Sequence, residues 1–115
     1  MSARTEADYL RDMLSYAEDG VALVENRKEE DLDLDPALQY ALQYCIFVIG
    51  EAATHISPAS RDRLPQIPWQ DIVGMRNWLA HGYYKIRRST IWGTATRNLP
   101  TLIDQILAFL PPEQT

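Results

Sequence analysis

The stretch DPALQYALQYCIFVIGEAATHI, residues 35–56, decides the fold class. Asp35-Pro36 reads as a helix cap followed by proline at the first helical position, where its missing N–H is not needed. Leu38, Leu42, Cys45, Ile49, Ala52 and Ile56 then fall on one stripe at helical spacing, while Tyr40, Tyr44, Phe47 and Val48 occupy other faces. A helix from 36 to about 56 that is apolar nearly all round must be covered on several sides, by other helices of a bundle or by a partner subunit. A homodimer is therefore expected.

The flanking sequence repeats the helical pattern. Upstream, Thr5 and Asp8 form a capping pair, and Leu10, Met13, Leu14, Ala17, Val21 and Val24 predict a helix from about 5 to 27 that Gly20 weakens slightly. The acidic stretch 28–35 has no apolar periodicity beyond two leucines. Downstream, Ser57-Pro58 is a second cap-then-proline signature, and Pro65 and Pro68 restrict the helix that it starts to a short one around 58–64. Ile72, Val73, Met75 and Leu79 continue from Trp69 as a helix of about 68–81, ended by Gly82 through its freedom at positive φ. Ser89 and Thr90 are candidate caps for a last helix carrying Ile91, Ala95, Leu99, Leu102, Ile103, Ile106, Leu107 and Leu110, kinked or divided by Pro100 and closed by Pro111-Pro112. With no strand-like alternation, repeat or linker, the expected fold is all-α: an antiparallel bundle of four to five helices in one domain, residues 1–115.

The composition of this 115-residue chain, 46% hydrophobic and 23% charged, is that of a chain with a packed core. Cys45 is the sole cysteine, which excludes an intrachain disulfide and argues against a thiol metal site. Its use as an apolar residue fits a reducing cytosol. Residues 1–6 carry acid where a secretory signal needs basic and apolar regions, and no apolar run approaches a membrane span, so a cytoplasmic protein with no membrane contact is expected. The net charge of −5 argues against nucleic-acid binding through a general basic surface. The charge is uneven, however: residues 1–35 hold eleven of the sixteen acids, whereas 76–97 hold five of the eleven bases and no acid. A local anion site or two ordinary solvated faces both fit that asymmetry.

Arginine, histidine and tyrosine come together in Gly74-Met75-Arg76-Asn77-Trp78-Leu79-Ala80-His81-Gly82-Tyr83-Tyr84. On a regular helix Arg76 and Tyr83 are nearly in line and share a stripe with Ile72 and Leu79. An arginine in an apolar stripe must snorkel to water or face a cleft, where a guanidinium can hold a phosphate. His81 lies about 140° round an ideal helix from Arg76. The two therefore diverge unless the helix unwinds near Gly82 or a second subunit brings its own copy. Asn77, one turn before His81, can hydrogen-bond a ring nitrogen. The same spacing fits an ordinary packing account in which His81 caps the helix end, Tyr83 packs in the core and Arg76 pairs with an acid.

Arg76-Asn77-x-x-x-His81-x-Tyr83 matches the Arg-x-x-x-x-His-x-Tyr signature of the HEPN superfamily, and the chain resembles HepT-like toxins in particular. The resemblance runs in order from Ile49-Gly50-Glu51-Ala52-Ala53 through Ile67-Pro68-Trp69 and Gly74-Met75-Arg76-Asn77 to Ile91-Trp92 and Leu99-Pro100. It implies a metal-independent endoribonuclease without cofactor, dimeric, with the Arg76 and His81 of both protomers facing a shared cleft and Asn77 in a supporting role. It further implies a toxin–antitoxin pair in which a minimal nucleotidyltransferase (MNT) antitoxin silences the enzyme by transferring AMP to Tyr83, with Tyr84 a weaker candidate. Relatives often carry acids after the tyrosine, whereas this chain reads Tyr84-Lys85-Ile86-Arg87-Arg88. That departure favours RNA and bears on partner recognition. The alternative is a non-catalytic helical binding module that partners the nucleotidyltransferase, and a purely structural dimer is a third reading.

Other residues invite weaker readings. Glu51 and His55 sit one turn apart, but nothing nearby supplies a third metal ligand, and a polar contact within the bundle or with Arg76 explains Glu51 better. Trp69, Trp78 and Trp92 could stack on bases, but core packing is the simpler account, and for Tyr9, Tyr16, Tyr40 and Tyr44 packing in the bundle or at a dimer interface explains them better than a binding groove. Ser57, Ser60 and Ser89 lack a neighbouring base and read as helix caps.

Overall fold

A computed structural model describes residues 3–110, so the stop expected at Pro111-Pro112 lies outside the described residues. They form α1 (Glu6–Val24), α2 (Asp31–Leu34), α3 (Pro36–Ala53), α4 (Pro58–Asp62), α5 (Trp69–His81), α6 (Arg88–Gly93) and α7 (Leu99–Phe109), with no strand among them. The fold is all-α and HEPN-like. No helix among the described residues is long and apolar enough to cross a membrane.

Three helix starts are set by the expected caps. Thr5 N donates to Asp8 Oδ2 at 2.8 Å and Asp8 N donates to Thr5 Oγ1 at 3.2 Å, a reciprocal box that satisfies two orphan donors of α1. Asp35 accepts from Leu38 N at 3.2 Å ahead of Pro36, and Ser57 accepts from Ser60 N at 3.2 Å ahead of Pro58. The fourth expectation fails. α6 begins at Arg88 without a side-chain cap, so Ser89 and Thr90 lie inside the helix instead of before it.

α1 and α3 run antiparallel: Tyr9 stacks on His55 at 4.2 Å, while Tyr16, farther along α1, meets Tyr44, earlier on α3. Leu99, at the start of α7, meets Gly20 near the end of α1. One apolar cluster gathers Leu10, Met13, Ala17, Ile49, Ala53, Leu102 and Ile106 between these three helices. A second gathers Val24, Leu38, Leu42, Ile46, Ile91 and Ala95, and includes Leu32. That leucine gives a structural role to a stretch whose sequence shows no apolar periodicity. The segment contains the short helix α2, whose Leu32 is fully buried and plugs one end of the bundle. Its acids are used as well: Arg88 pairs with Glu29 at 3.3 Å and with Asp33, tying the start of α6 to the plug.

The last helical region is divided at Pro100, as its sequence implied. Between α6 and α7 the chain widens into a π turn, Thr94–Asn98, where Leu99 N bonds Thr94 O five residues back. Pro100 lacks an N–H and its ring crowds the carbonyl four residues earlier, so a wider turn relieves the helix there. Threonine hydroxyls occupy nearby carbonyls, Thr96 on Trp92 O at 2.8 Å and Thr94 on Thr90 O at 2.8 Å.

A buttress fixes the start of α1 to α4. Glu6 accepts from Ser57 N at 2.5 Å and from the Ser60 hydroxyl. The Ser60 hydroxyl and then the Ser57 amide hold its carboxyl below the usual glutamate range. A carboxyl with a depressed folded pKa adds stability above its unfolded pKa, and that contribution disappears as pH falls through the folded value. In urea unfolding, Glu6→Gln is expected to be less stable than wild type near pH 7, with the gap closing as pH drops below the ordinary glutamate range. A gap of equal size at both ends would exclude the charge as its source.

Candidate functional site

The site is built where α5 crosses α3, and a glycine sets how close they come. A Cβ at Gly50 would lie 2.3 Å from Arg76 Cβ and 2.9 Å from Ile72 O, so only glycine admits α5 at this depth. Arg76 is thereby pressed against α3. Its Nε donates to Glu51 Oε1 at 2.8 Å, its Nη1 donates to Asn77 Oδ1 at 2.9 Å, and its guanidinium lies over the Phe47 ring at 5.6 Å from the centroid. The side chain is 27% exposed, neither sealed nor free. A guanidinium has five N–H donors. Glu51 and Asn77 take two, leaving the rest for an anion arriving from solvent.

The expected contact between Asn77 and His81 does not form, because Asn77 Oδ1 is turned to Arg76 instead. His81 occupies the last turn of α5 and is exposed. α5 is continuous through His81, so the helix does not unwind to bring His81 toward Arg76. Within one protomer the two residues lie on different faces.

The expectation for Gly82 also changes. Its φ is −129°, in ordinary territory, and the helix ends there without a left-handed residue. What requires glycine is space: a Cβ at Gly82 would lie 2.9 Å from Trp78 Cε3. Beyond it, Tyr83–Lys85 form a 3₁₀ turn, so the helical alignment of Tyr83 with Arg76 stops at His81. Tyr83 is 67% exposed and packs edge-on against Tyr84, not in the core.

Some of the remaining candidates resolve into packing, whereas Trp78, Tyr40 and Tyr44 are exposed. Trp69 is buried with its Nε1 donating to Leu64 O at 3.1 Å, and Trp92 packs against the second cluster. Glu51 faces Arg76 while His55 stacks on Tyr9, so the two do not share a ligand. A cavity of about 360 Å³ between α3, α5 and α7 has apolar residues such as Ile49, Ile72 and Leu102 and polar ones such as Asp71, Arg97 and Gln105 in its lining, and neither Arg76 nor His81 lines it.

With this geometry in hand, similarity to known proteins is informative. Residues 8–109 match the family described as ribonuclease HepT-like. The chain belongs to that family. A Methanocaldococcus jannaschii protein named "Putative RNase" is 33% identical over 102 residues, covering 89% of this chain and 84% of its own. A Caldanaerobacter subterraneus protein of the same description is 31% identical over 111 residues, 96% of this chain and 99% of its own. A Thermococcus cleftensis protein named "Probable ribonuclease HepT" is 29% identical over 103 residues, 86% and 90% of the two chains. No solved structure is a significant match.

Sequence reasoning singled out Arg76, Asn77, His81 and Tyr83 as candidates and gave Glu51 a polar contact either within the bundle or with Arg76, of which the structure shows the second. It missed Phe47 beneath the guanidinium and the spacing role of Gly50. The signal for Gly50 was present: a glycine one residue before Glu51, within the apolar helix that most needs tight cover. In the HepT-like fold this contact predicts a large effect from one methyl group. Gly50→Ala is expected to lose about 1–3 kcal/mol in denaturant unfolding, because backbone and a side-chain root, not a flexible tip, must move aside. A change under a few tenths would mean that the two helices separate freely.

Proposed function

We propose that this protein is a metal-independent endoribonuclease whose reacting groups are Arg76 and His81, drawn from two protomers that share one cleft. The observation that carries the proposal is the state of Arg76: its guanidinium is oriented by Glu51 and Asn77, yet retains free donors at a partly exposed position. An oriented guanidinium suits the charge that grows on phosphoryl oxygens during transfer. Family membership and the ribonuclease descriptions of the relatives support RNA as the substrate.

The chemistry is set by the groups present. One imidazole takes the proton from a ribose 2′-hydroxyl as its oxygen bonds to the adjacent phosphorus. The bond from phosphorus to the 5′-oxygen breaks, and an imidazolium returns a proton to that oxygen. The products are a 2′,3′-cyclic phosphate and a free 5′-hydroxyl. Histidine fits both roles because its unperturbed pKa is about 6.5, and two copies can divide them.

The dimer supplies what a single α5 does not, since Arg76 and His81 diverge on a continuous helix. Its interface is supported by the outer stripe of α3, where Tyr40 and Tyr44 are 67% and 59% exposed in line with Phe47 and Glu51. Large aromatics exposed in a row beside the site are the kind of surface that a second copy covers. Tyr40→Glu, at the edge of that stripe, is expected to shift sedimentation from dimer to monomer and to abolish cleavage together with it. A monomeric variant of full activity would remove the shared cleft.

Within this reading the protein is the toxin of a toxin–antitoxin pair, and an MNT-type nucleotidyltransferase silences it by AMP transfer to Tyr83. The exposure of Tyr83 on a turn directly after His81 supports that role. AMP there adds bulk and negative charge where substrate phosphate must approach.

The decisive measurement is cleavage of total cellular RNA in EDTA by protein verified by mass spectrometry as unmodified at Tyr83. Wild type is expected to cut. Arg76→Ala should lose about 10²–10³-fold. His81→Ala should lose about 10²–10⁴-fold. Intact RNA with verified wild type would replace the enzyme by a binding module that presents Tyr83 to the nucleotidyltransferase.

A further inference from the structure

Trp78 is the one tryptophan that the fold does not absorb: it is 50% exposed, whereas Trp69 is buried and Trp92 packs against the core. Its position is nonetheless fixed on one side. The edge carrying Cε3 and Cζ3 rests against Gly82, 2.9 and 3.2 Å from where a Cβ would stand. The indole is braced by the turn after α5, and about half of the residue remains exposed to solvent.

Two open clefts meet at this ring. One, about 450 Å³, joins Trp78 to Asn77, His81 and Tyr84. The other, about 400 Å³, joins Trp78 to Lys85, Arg87 and Thr90, with Asp71 on its rim. Gly74, Trp78 and Lys85 line both, so the indole stands as a ridge between them. On α5 Gly74 leaves the approach open, since nothing lies within 4 Å of where its Cβ would be.

The cations beside the ridge are available. Arg88 is consumed by Glu29 and Asp33. Lys85 and Arg87 have no acidic partner among the described residues, and Lys85 Nζ lies 5.7 Å from the Tyr84 ring centroid. An exposed aromatic face flanked by such cations along a groove is the arrangement that binds single-stranded nucleic acid, with the base stacked and the backbone held by charge.

We propose that Trp78, Lys85 and Arg87 form a subsite for single-stranded RNA, in which a base stacks on the indole and the adjoining phosphates lie along the two cations, so that the strand passes from this groove to His81. The subsite rests on the reading of RNA as the substrate. It adds the place that holds the strand outside the reacting phosphate, and it makes Trp78 a positioning residue, not a catalytic one.

The test uses the full chain and a short single-stranded 2′-O-methyl RNA, which lacks the attacking hydroxyl and is not cut. Binding is followed by quenching of tryptophan emission and, independently, by fluorescence anisotropy of labelled oligonucleotide. Trp78→Ala is expected to bind about 5- to 150-fold more weakly, while Trp78→Phe retains most of the affinity and loses the quenching. Trp78→Leu keeps apolar bulk against Gly82 and is expected to lose affinity as Ala does, separating stacking from a packing defect. Lys85→Ala and Arg87→Ala should each weaken binding and lower the slope of log affinity against log salt by about 0.7. Melting temperatures of all variants close to wild type are the folding control, and Trp78→Leu decides the matter if Trp78→Ala unfolds.

The outcomes separate the two proposals. If wild type binds and Trp78→Leu binds equally well, the subsite is overturned while the ribonuclease reading stands. If wild type binds through Trp78 but cuts no RNA, the subsite stands and the catalytic reading falls. If wild type neither binds nor cuts, RNA is not the ligand and both fall.

Discussion

The site depends on the close contact between α3 and α5 at Gly50. Because no side chain separates the two backbones there, Arg76 is carried onto α3 with its Cβ against the glycine, and its guanidinium reaches Glu51 and Phe47 on the same helix. A long arginine normally spends its rotamer freedom in solvent. Here one turn of α3 supplies the gap, the carboxylate and the ring face that remove most of that freedom before any ligand arrives. The Arg76–Glu51 pair is better understood as orientation than as stability. Both groups keep contact with water, and an ion pair of that kind contributes little to folding.

The elements legible in the sequence and those that are not differ in a physical way. The spacing of α1, α3 and α5 and the caps of α1, α3 and α4 are legible because both signals are local: a cap needs an amide three residues on, and a stripe needs only its own periodicity. α2 is not legible because its signal is one leucine among acids. Only the arrival of Val24, Leu42 and Ile91 around Leu32 makes that turn part of a core. The start of α6 escapes for a related reason, since Ser89 and Thr90 are good caps in isolation and the pairing of Arg88 with the α2 segment carries the helix one residue beyond them.

The candidate residues can be singled out from the sequence, but their contacts cannot. Helical geometry alone separates Arg76 from His81, and the continuity of α5 keeps that separation. Asn77 could turn toward either neighbour by sequence, and the choice of Arg76 depends on the guanidinium being held nearby by Glu51, a residue of another helix. The role of Gly82 is hidden because glycine is permitted everywhere in φ. Here it is required by the indole of Trp78, and a sequence does not state which neighbour will need the room.

Net charge gives a misleading view of what such a protein can bind. Most of the acids lie in the first 35 residues, and several are engaged in the fold: Glu6 holds α4, Asp8 and Asp35 cap helices, and Glu29 and Asp33 hold Arg88. The bases take the opposite course after α5, where Lys85 and Arg87 stand without an acidic partner among the described residues, beside an exposed indole and the end of the helix that carries His81. Exposed charges farther apart than about 10 Å are largely screened at ordinary ionic strength. An approaching polyanion therefore responds to the local groups more than to the total of −5. The acidic segment serves the groove in a further way. By binding Arg88 it anchors the start of α6, and with it the turn on which Lys85 and Arg87 are presented, so the negative half of the chain helps to hold the positive half in position.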